Sequence, residues 1–457
     1  MQQRDKLKPI LFSIIKHSSK EELKEQIPKD IVAGIVVAVV ALPLSIALGI
    51  ASGVSPEQGL YTAIVAGFLI AFLGGSRVQI SGPTAAFATI VAGIVATDGI
   101  EGLVAATIIA GILLIFMGLF KLGALIRFVP FTITTGFTAG IAVTLTIGQL
   151  KDFFGLTYPP GTATVETTEK LAAIAGNFST VNWQACLVGV VCLAVLFLWP
   201  RVTERVPSSL MALLAGIALV SGLGLDVSTI GDLYVIDSAL PTFHMPHLSL
   251  ELFRDQFANG VTIAILAAIE SLLSCVVADS MISGHHRANM ELVAQGVGNI
   301  ASVLFGGIPA TGAIARTAAN VKAGGRTPIA GMVHALVLIA VLAFLMPCAA
   351  LIPMPTIAAI SVKDFTRYLI IRMRGVPSLD ATGMNALENL YDYCNANGVS
   401  LIFSHVNEQP MKTMRRAGFV DLVGEEHFRS CIDDAIAHAR ELLAAEEDAE
   451  NLMKTRG

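Results

Sequence analysis

Charged residues are scarce in this chain, and so are the cysteine patterns of secreted and metal-binding proteins. Only 14% of the 457 residues are Asp, Glu, Lys or Arg, whereas 54% are hydrophobic. Soluble domains carry about 25% charged residues, so the composition indicates a polytopic membrane protein with a polar part attached. The six cysteines have neither paired spacing nor histidine partners. They predict neither a disulfide framework nor a metal site.

A cleavable leader is also not predicted, because the first thirty residues contain no apolar core followed by a cleavage site. Residues 1–30 instead hold seven Lys or Arg residues. By the positive-inside rule this bias places the N-terminal segment in the cytoplasm. Its Lys20–Asp30 part is expected to form an amphipathic helix at the membrane interface.

Eleven apolar runs follow, several of them shorter than the roughly 20 residues that a helix needs to cross a bilayer. When crossings are counted from a cytoplasmic start, four basic groups fall on the inward side. The runs lie at about 31–53, 57–75, 78–98, 101–122, 125–150, 182–200, 207–225, 257–282, 291–305, 311–322 and 328–352. The basic groups are Lys121 with Arg127, Arg201 with Arg205, His285 to Arg287, and Lys322 with Arg326.

Two short segments far apart in the chain, Gly74–Ala86 and Gly306–Ala319, are similar to each other. Each opens with Gly-Gly, passes through a few extended residues and starts a helix with small and hydroxyl side chains. A helix that begins inside a membrane leaves its first N–H groups unpaired at the positive end of its dipole, where anions bind. Two such ends in corresponding halves predict a midplane site built from broken helices. The alternative is that Gly and Pro merely loosen two tightly packed helices.

The tail from Ser361 has the composition of a soluble α/β module, with strands predicted at Leu369–Met373 and Val399–Phe403. Helices are predicted at Thr382–Asn395, Glu408–Arg416 and Glu426–Glu447. Only nine residues, 352–360, separate the eleventh run from this tail, too few to cross the bilayer again. The sequence therefore predicts that a block is missing at about 360/361, and that a two-stranded remainder is small for an independent core.

Several motifs carry a resemblance to a known family: Ala41–Ala47, Gly59–Tyr61, Ile80–Thr84, Asn289–Leu292 with Gln295, Gly296 and Asn299, and Gly306–Arg316. Together they resemble the sulfate permease (SulP) family of anion transporters, and the chain looks closest to its bacterial C4-dicarboxylate carriers. The resemblance implies an α-helical polytopic membrane protein with an inverted-repeat (7+7) transporter fold shared with uracil permease, containing half-helices. By this resemblance, residues 31–360 form the transmembrane transporter domain.

The resemblance also implies that 361–457 is the second half of a cytoplasmic α/β STAS domain, whose strand-to-helix loop is Val376–Gly383. Most of the twelfth span, the next two spans and the first STAS strands are then absent from this sequence. Asp380 and Thr382 lie in the loop. They are either regulatory, because related small STAS proteins are phosphorylated at this hydroxyl, or Asp380 simply caps the following helix.

In the family, the anion binds where the third and tenth helices begin. The matching positions here are Ser81, Gly82, Thr84, Ala85, Thr311, Gly312, Ala313, Ile314, Ala315 and Arg316. Small residues would let the anion approach backbone N–H groups, and the hydroxyls would add donors. Leu44 and Leu48 would form an apolar wall beside Pro43. The alternative for each Ser or Thr is a bond to the carbonyls of its own helix.

Two ionisable residues fall within predicted spans. Arg316 needs a functional reason or a partner at membrane depth: it either attracts anions behind the helix dipoles or pairs with Glu270. A carboxylate isolated in a span takes up a proton readily, which suits a coupling group. The resemblance places a coupling acid at Glu270, with Ser274 one turn on. Asp279 and Glu291, nearer the inner edge, are expected to be solvated or capping.

These features predict a secondary active transporter, a proton-coupled symporter of C4-dicarboxylates (succinate, fumarate, aspartate), sulfate or bicarbonate across the bacterial inner membrane. Sodium remains an alternative coupling ion. We expect a homodimer, cytoplasmic termini, a cytoplasmic protein partner at the STAS domain, and no cofactor, metal or nucleic acid. An enzyme is not expected, because the spans show no nucleophile and base pair. Two alternatives remain: a non-transporting anion sensor or anchor that signals through STAS, and a nucleobase permease.

Overall fold

The computed structural model is mostly helical. It describes residues 7–17, 19–124, 131–159, 162, 164, 167–203, 207–234, 238–245, 249–363, 368–373, 378–380, 383–385, 387–388, 391, 400–431, 434–435, 437–439 and 441–442. The chain divides into two compact units, one of residues 1–129 and 137–363 and the other of residues 130–136 and 364–457.

The helices up to residue 363 are α1 (Ile10–His17), α2 (Lys20–Ala51), α3 (Pro56–Leu73), α4 (Ala85–Leu119), α5 (Phe131–Phe154), α6 (Thr167–Gly176), α7 (Trp183–Val202), α8 (Ser208–Leu223), α9 (Ile230–Leu233), α10 (Leu250–Asp255), α11 (Phe257–Ile282), α12 (Ala288–Leu304), α13 (Ile314–Lys322), α14 (Ile329–Ala349) and α15 (Met354–Lys363). Two short strands, β1 (Ser81–Gly82) and β2 (Thr311–Gly312), precede α4 and α13.

Five helices of the described part are long and apolar enough to cross a membrane. They cover Glu21–Ala51, Pro56–Leu73, Ala85–Leu119, Trp183–Val202 and Phe257–Asp279, and shorter apolar helices cover Ser208–Leu223 and Ile329–Phe344. Helix α4 contains most of the third and most of the fourth apolar run. Gly99 breaks that helix between them with φ 71° and ψ −169°, a conformation that only glycine adopts readily. The polytopic class predicted from composition is confirmed.

The Lys20–Asp30 part is continuous with the first span rather than a separate helix at the interface. Ser19 and Glu22 form a capping box at the start of α2, and this sequence signal fixes where the helix begins. Asp30 is buried, and it accepts hydrogen bonds from Arg326 N at 2.8 Å and from Thr327 Oγ1 at 2.6 Å. The start of α2 is thereby tied to the segment before α14.

The two largest apolar clusters among the described residues of the first unit form most of its core. One joins α2, α3, α7, α8, α14 and α15, and includes Leu60 and Leu338. The other joins α4, α11 and α12 around Phe87 and Leu292. Because β1 contacts α3 and β2 contacts α11, the two strands link helices of different clusters.

The predicted discontinuity at 360/361 falls inside α15. Ile360 is buried, and Ser361 Oγ donates to Ile357 O at 2.9 Å, so the helix is regular on both sides of this position. A missing block at this point stays a prediction.

The second unit contains a parallel three-stranded sheet, β3 (Tyr368–Arg372), β4 (Ser400–Ser404) and β5 (Phe428–Arg429), in that order. The helices α16 (Glu408–Arg416) and α17 (Phe419–Val423) follow β4. The rings of Phe403 and Phe428 stack with centroids 4.9 Å apart. These elements confirm the predicted α/β character of the tail, while its assignment to the STAS domain stays a prediction.

Two predictions in this unit were wrong. The sheet has a third strand where only two were predicted, and the helix predicted from Glu426 does not begin there, since Phe428 and Arg429 pair with β4. Gly424, with φ 98°, ends the preceding helix, and the stacking of Phe428 on Phe403 favours the extended pairing. The described residues from 434 to 442 are helical, as are the described residues from 383 to 391.

Candidate functional site

The two segments that resemble each other in sequence lie side by side. In the antiparallel pair of β1 and β2, Ser81 is opposite Gly312 and Gly82 is opposite Thr311. A further bond runs from Ala313 N to Ile80 O at 2.9 Å. Helix α4 begins three residues after β1, and α13 begins two residues after β2. The pairing therefore holds the N-termini of the two helices together.

Neither of these helix N-termini is capped by a side chain. Thr84 and Ala313 occupy the capping positions in extended conformations, and no side-chain hydrogen bond caps either helix. Thr84 and Ala85 are partly accessible, and Ile314 and Ala315 are exposed. The first N–H groups of both helices therefore keep their positive partial charge near accessible small side chains, which is a suitable environment for an anion.

Helix α11 contacts both segments through two consecutive residues. Thr84 Oγ1 donates to Glu270 Oε2 at 3.2 Å. Thr311 Oγ1 lies 2.7 Å from Ser271 Oγ, and Gly312 N donates to Ser271 Oγ at 3.2 Å. Sequence reasoning identified Glu270 but missed Ser271, although its position next to Glu270 among small residues was a usable signal.

Ser274 has a different neighbour from the one that the sequence suggested. Its Oγ lies 3.4 Å from Thr317 Oγ1, and Thr317 Oγ1 in turn accepts a hydrogen bond from Ile80 N at 3.0 Å. Ser274 is fully buried, and its described contact supports the segment before β1 rather than Glu270. Its role in coupling stays a prediction.

Arg316 lies in the second half-helix and points at the first. It is 3% exposed, and its Nη2 donates to the carbonyl oxygen of Pro83. Glu270 accepts from Thr84, so these described bonds do not include the ion pair between Arg316 and Glu270 that the sequence left open. The guanidinium group places a permanent positive charge beside the last residues before α4.

The hydroxyl groups of Ser81 and Thr311 are buried and already bonded. Ser81 Oγ accepts from Gln295 Nε2 at 3.2 Å, and Thr311 Oγ1 donates to Ala267 O of α11 at 3.3 Å. Neither bond is to a carbonyl of the residue's own helix, which was the alternative considered from the sequence. Both groups position the two strands, and any role as anion donors stays a prediction.

Glu291 is buried rather than solvated, which corrects one of the two readings made from the sequence. Its carboxylate accepts from Gly75 N at 2.9 Å, Ser76 N at 3.1 Å, Gln79 Nε2 at 2.9 Å and Gln295 Nε2 at 3.1 Å. These donors replace the water that a charge would otherwise need. The carboxylate thereby caps the backbone of the segment that leads to β1.

Three amide and hydroxyl side chains that sequence reasoning did not assign hold the same segments. Asn299 pairs with Ala310 through two hydrogen bonds of 2.8 and 2.9 Å. Asn320 Nδ2 donates to Val78 O at 2.8 Å, and Thr62 Oγ1 accepts from Ile308 N at 2.7 Å. A single sequence does not reveal such pairs, because the partners lie up to 246 residues apart.

Leu44 and Leu48 have apolar side chains and take no part in this hydrogen-bond network. Leu44 is half-buried and packs on the first apolar cluster, and Leu48 is buried. Both are carried by α2, which packs against α4 and α13. Their role as an apolar wall stays a prediction.

Two further carboxylates act as local caps. Asp279 Oδ2 accepts from His286 N at 2.9 Å, and Asp380 Oδ1 accepts from Gly383 N at 2.8 Å. The second bond is the capping arrangement offered as the alternative to a regulatory loop. Thr382 lies outside the described residues, and a regulatory role for this loop stays a prediction.

Sequence comparison relates the chain to known transporters. A family model described as "Sulfate permease family" matches residues 27–382. The chain is 44% identical over 313 residues to "Putative sulfate transporter YvdB" of Bacillus subtilis and 34% identical over 315 residues to "Bicarbonate transporter BicA" of Synechocystis sp.. Each alignment covers 67% of this chain, but 58% and 55% of the respective relatives. The chain therefore spans less than two thirds of the length of these curated relatives.

Solved structures share the fold. The transmembrane domain of a cyanobacterium bicarbonate transporter, BicA, superposes with a TM-score of 0.69 at 32% identity, covering 76% of this chain and 89% of that chain. Murine Solute Carrier 26 family member A9, in the inward-facing state, matches with a TM-score of 0.69 at 16% identity, covering 95% and 94%. These matches confirm the predicted transporter fold, and the relatives are described as membrane transporters rather than enzymes.

Proposed function

Because the chain belongs to the sulfate permease family, a family of multi-pass membrane anion transporters, we propose that it is a secondary active transporter of a small anion. The observation that carries the proposal is the β1–β2 pairing, which holds two uncapped helix N-termini together within the membrane unit. Two positive dipole ends and the buried Arg316 offer an anion three sources of positive potential. A nucleobase, which is neutral, would not use them.

Sulfate and bicarbonate are the first candidate substrates, because the relatives are named for these two anions. Both are compact enough to lie against backbone N–H groups flanked by Thr84, Ala85 and Ala315. C4-dicarboxylates, expected from the resemblance, remain a candidate that has two separated charges instead of one compact group. A single uptake assay with all three anions decides between them.

Proton coupling through Glu270 is the second part of the proposal. Glu270 lies in the α11 span and accepts a hydrogen bond from Thr84, so it is next to one of the two helix ends. A carboxylate that binds a proton when the anion binds would move both together. Sodium, which also binds to oxygen ligands, is the alternative coupling ion.

Flux into proteoliposomes containing the purified protein tests the function. We expect uptake of labelled sulfate or bicarbonate above that of empty liposomes, stimulated by an inward proton gradient and unchanged when choline replaces sodium. Stimulation by sodium alone would contradict proton coupling. Binding without flux would support the anion sensor instead. The same assay on a chain in which the spans predicted to be missing are inserted at 360/361 shows whether flux depends on them.

The cellular arrangement follows as a further part of the proposal. The basic N-terminal segment favours cytoplasmic N- and C-termini in a bacterial inner membrane. A homodimer and a protein partner at the C-terminal unit remain predictions. Protease protection in inverted membrane vesicles checks whether the termini are cytoplasmic. The mass of the purified protein in detergent checks whether it is a homodimer.

A further inference from the structure

Helix α11 contacts the start of both half-helices, but through side chains of different chemistry. At α4, Thr84 Oγ1 donates to Glu270 Oε2 at 3.2 Å. At α13, Thr311 Oγ1 is bonded to Ser271 Oγ and Ala267 O. A carboxylate changes its charge when it binds a proton, whereas a serine hydroxyl and a carbonyl do not. The two helix ends therefore have similar backbones, but binding of a proton can change the charge next to α4 and not the charge next to α13.

The Thr84 hydroxyl has a single proton to donate. While Glu270 is ionised, its carboxylate takes this proton, so that the hydroxyl presents only lone pairs to its other side. Thr84 occupies the capping position of α4 without capping it and is partly accessible. An anion at the start of α4 would therefore meet oxygen lone pairs and a nearby negative charge, both of which repel it.

Protonation of Glu270 reverses this arrangement. The neutral carboxyl group donates its new proton to Thr84 Oγ1, and the Thr84 hydroxyl turns its own proton toward the anion. No other bond is made or broken. We propose that Thr84 is the coupling link of the transporter: it makes anion binding at α4 depend on a proton at Glu270, while Thr311 at α13 positions the second helix end through hydrogen bonds that no proton changes. The inference rests on the proposed function and specifies how that site is regulated.

The coupling is reciprocal: if a proton at Glu270 raises the affinity for the anion, the bound anion raises the affinity of Glu270 for the proton by the same factor.

Glu270 is the carboxylate directly bonded to a residue at a half-helix N-terminus in the described part of the chain. Other charged groups on elements packed against α11 have different neighbours: Arg316 donates to Pro83, Glu291 binds the segment before β1, and Thr97 donates to Asp98. The remaining charged or titratable groups there are Glu101 on α4, Lys322 on α13, Glu251, Arg254 and Asp255 on α10, and Cys275 and Asp279 on α11 itself.

Sulfate binding by the purified 457-residue protein, measured by calorimetry at about pH 6 and about pH 8, tests the inference. Sulfate is a suitable probe because its own charge is constant over this range. We expect tighter binding at the lower pH for the wild type and for Thr84→Ser. Thr84→Val, which keeps the shape but loses the hydroxyl, should bind about tenfold more weakly at the lower pH. Its affinity should differ less between the two pH values than that of the wild type, because only the direct repulsion by the Glu270 charge remains.

Thr311→Val is the matched control at the other half-helix. It should weaken binding by a similar factor at both pH values and keep the wild-type ratio between them. Glu270→Gln, which cannot be ionised, should bind with little pH dependence. The inference is overturned if Thr84→Val keeps the wild-type ratio of sulfate affinities at the two pH values. It is also overturned if Thr311→Val reduces this ratio as much as Thr84→Val does.

The two proposals can fail separately. Sulfate binding without sulfate flux in the wild type contradicts the proposed function, whereas the calorimetric ratios still decide the role of Thr84. No binding by the wild type at either pH counts against both. If Thr84→Val does not fold, as judged by its melting temperature, Thr84→Ala takes its place and the same ratios apply.

Discussion

Gly82 lies against the guanidinium group of Arg316: a Cβ atom at position 82 would come within 2.7 Å of Arg316 Nη1. Arg316 is buried and also donates to Pro83 O. Because Gly82 has no side chain, the guanidinium group of Arg316 in the second half-helix can contact the backbone that leads to the first. Together with the hydrogen bond to Pro83 O, this contact links the charge of α13 to the N-terminus of α4.

Substitution Gly82→Ala should displace the Arg316 side chain and disturb the start of α4. Because small displacements of binding groups reduce rates strongly, we expect anion uptake to fall by about tenfold or more. Gly93→Ala in the same helix is the control, since a Cβ atom there meets nothing within 4 Å. It should leave uptake unchanged and stabilise the helix by up to about 1 kcal/mol. Equal uptake by the two variants would show that the Arg316 position does not matter.

Replacement of Glu270 by Gln keeps the size of the side chain and removes its ability to ionise. We expect anion binding to remain measurable and the pH dependence of uptake to disappear, because no proton can then be exchanged at this position. Uptake rates between about pH 6 and about pH 8 provide the measurement. Glu101→Gln, at an exposed position of α4, should keep the wild-type profile. An unchanged profile in the Glu270→Gln variant would reject the coupling role.

Glu291 holds the segment before β1 with both of its carboxylate oxygens. Glu291→Gln replaces one oxygen by an NH2 group that faces N–H donors, whichever way the amide is turned. We expect a loss of stability of about 2 to 4 kcal/mol, since buried donors lose a charged acceptor. The midpoint of thermal unfolding in detergent measures it. Glu101→Gln again serves as the control, and equal melting temperatures would contradict a supporting role for Glu291.

Two histidines of the C-terminal unit predict a loss of stability in acid. Arg429 donates to His438 Nδ1 at 2.6 Å, and His438 Nε2 lies 3.3 Å from His427 Nδ1. Burial lowers the pKa of both histidines from the ordinary value. Below about pH 6.5 the unfolded chain takes up protons that the folded rings do not. The stabilising contribution present above that pH is therefore lost as the pH falls toward the folded pKa values.

Hydrogen exchange of residues 400–442 in the full chain measures this loss. We expect faster exchange at about pH 5.5 than the intrinsic pH effect explains, with a slope of up to about 1.4 kcal/mol per pH unit for each proton taken up. His438→Gln should reduce the slope. His405→Asn is the control, because His405 is exposed with φ 52°, a conformation that Asn tolerates. A slope that His438→Gln leaves unchanged would refute the assignment.

The sequence predicted an element well where the pattern that specifies it lies within a few neighbouring residues. The Gly-Gly openings and the small residues that follow predicted both interruptions, and the limits of α16 matched the predicted Glu408–Arg416. Contacts between distant residues were predicted poorly. The bond of Ser274 to Thr317 was not predicted, and Glu291 was expected to be solvated or capping, without indication that it is buried and bonded to the segment before β1.

The amino-acid sequence by itself determined the membrane class, the two broken helices and the residue types at their N-termini, because apolar length, glycine and small residues act over a few neighbouring positions. The tertiary structure alone decided that β1 pairs with β2, that Arg316 rests on Gly82, and that Thr84 and Thr311 contact α11 through a carboxylate and a hydroxyl respectively. These relationships join residues about 40 to 234 positions apart. Their geometry depends on how whole helices pack, which no local pattern encodes.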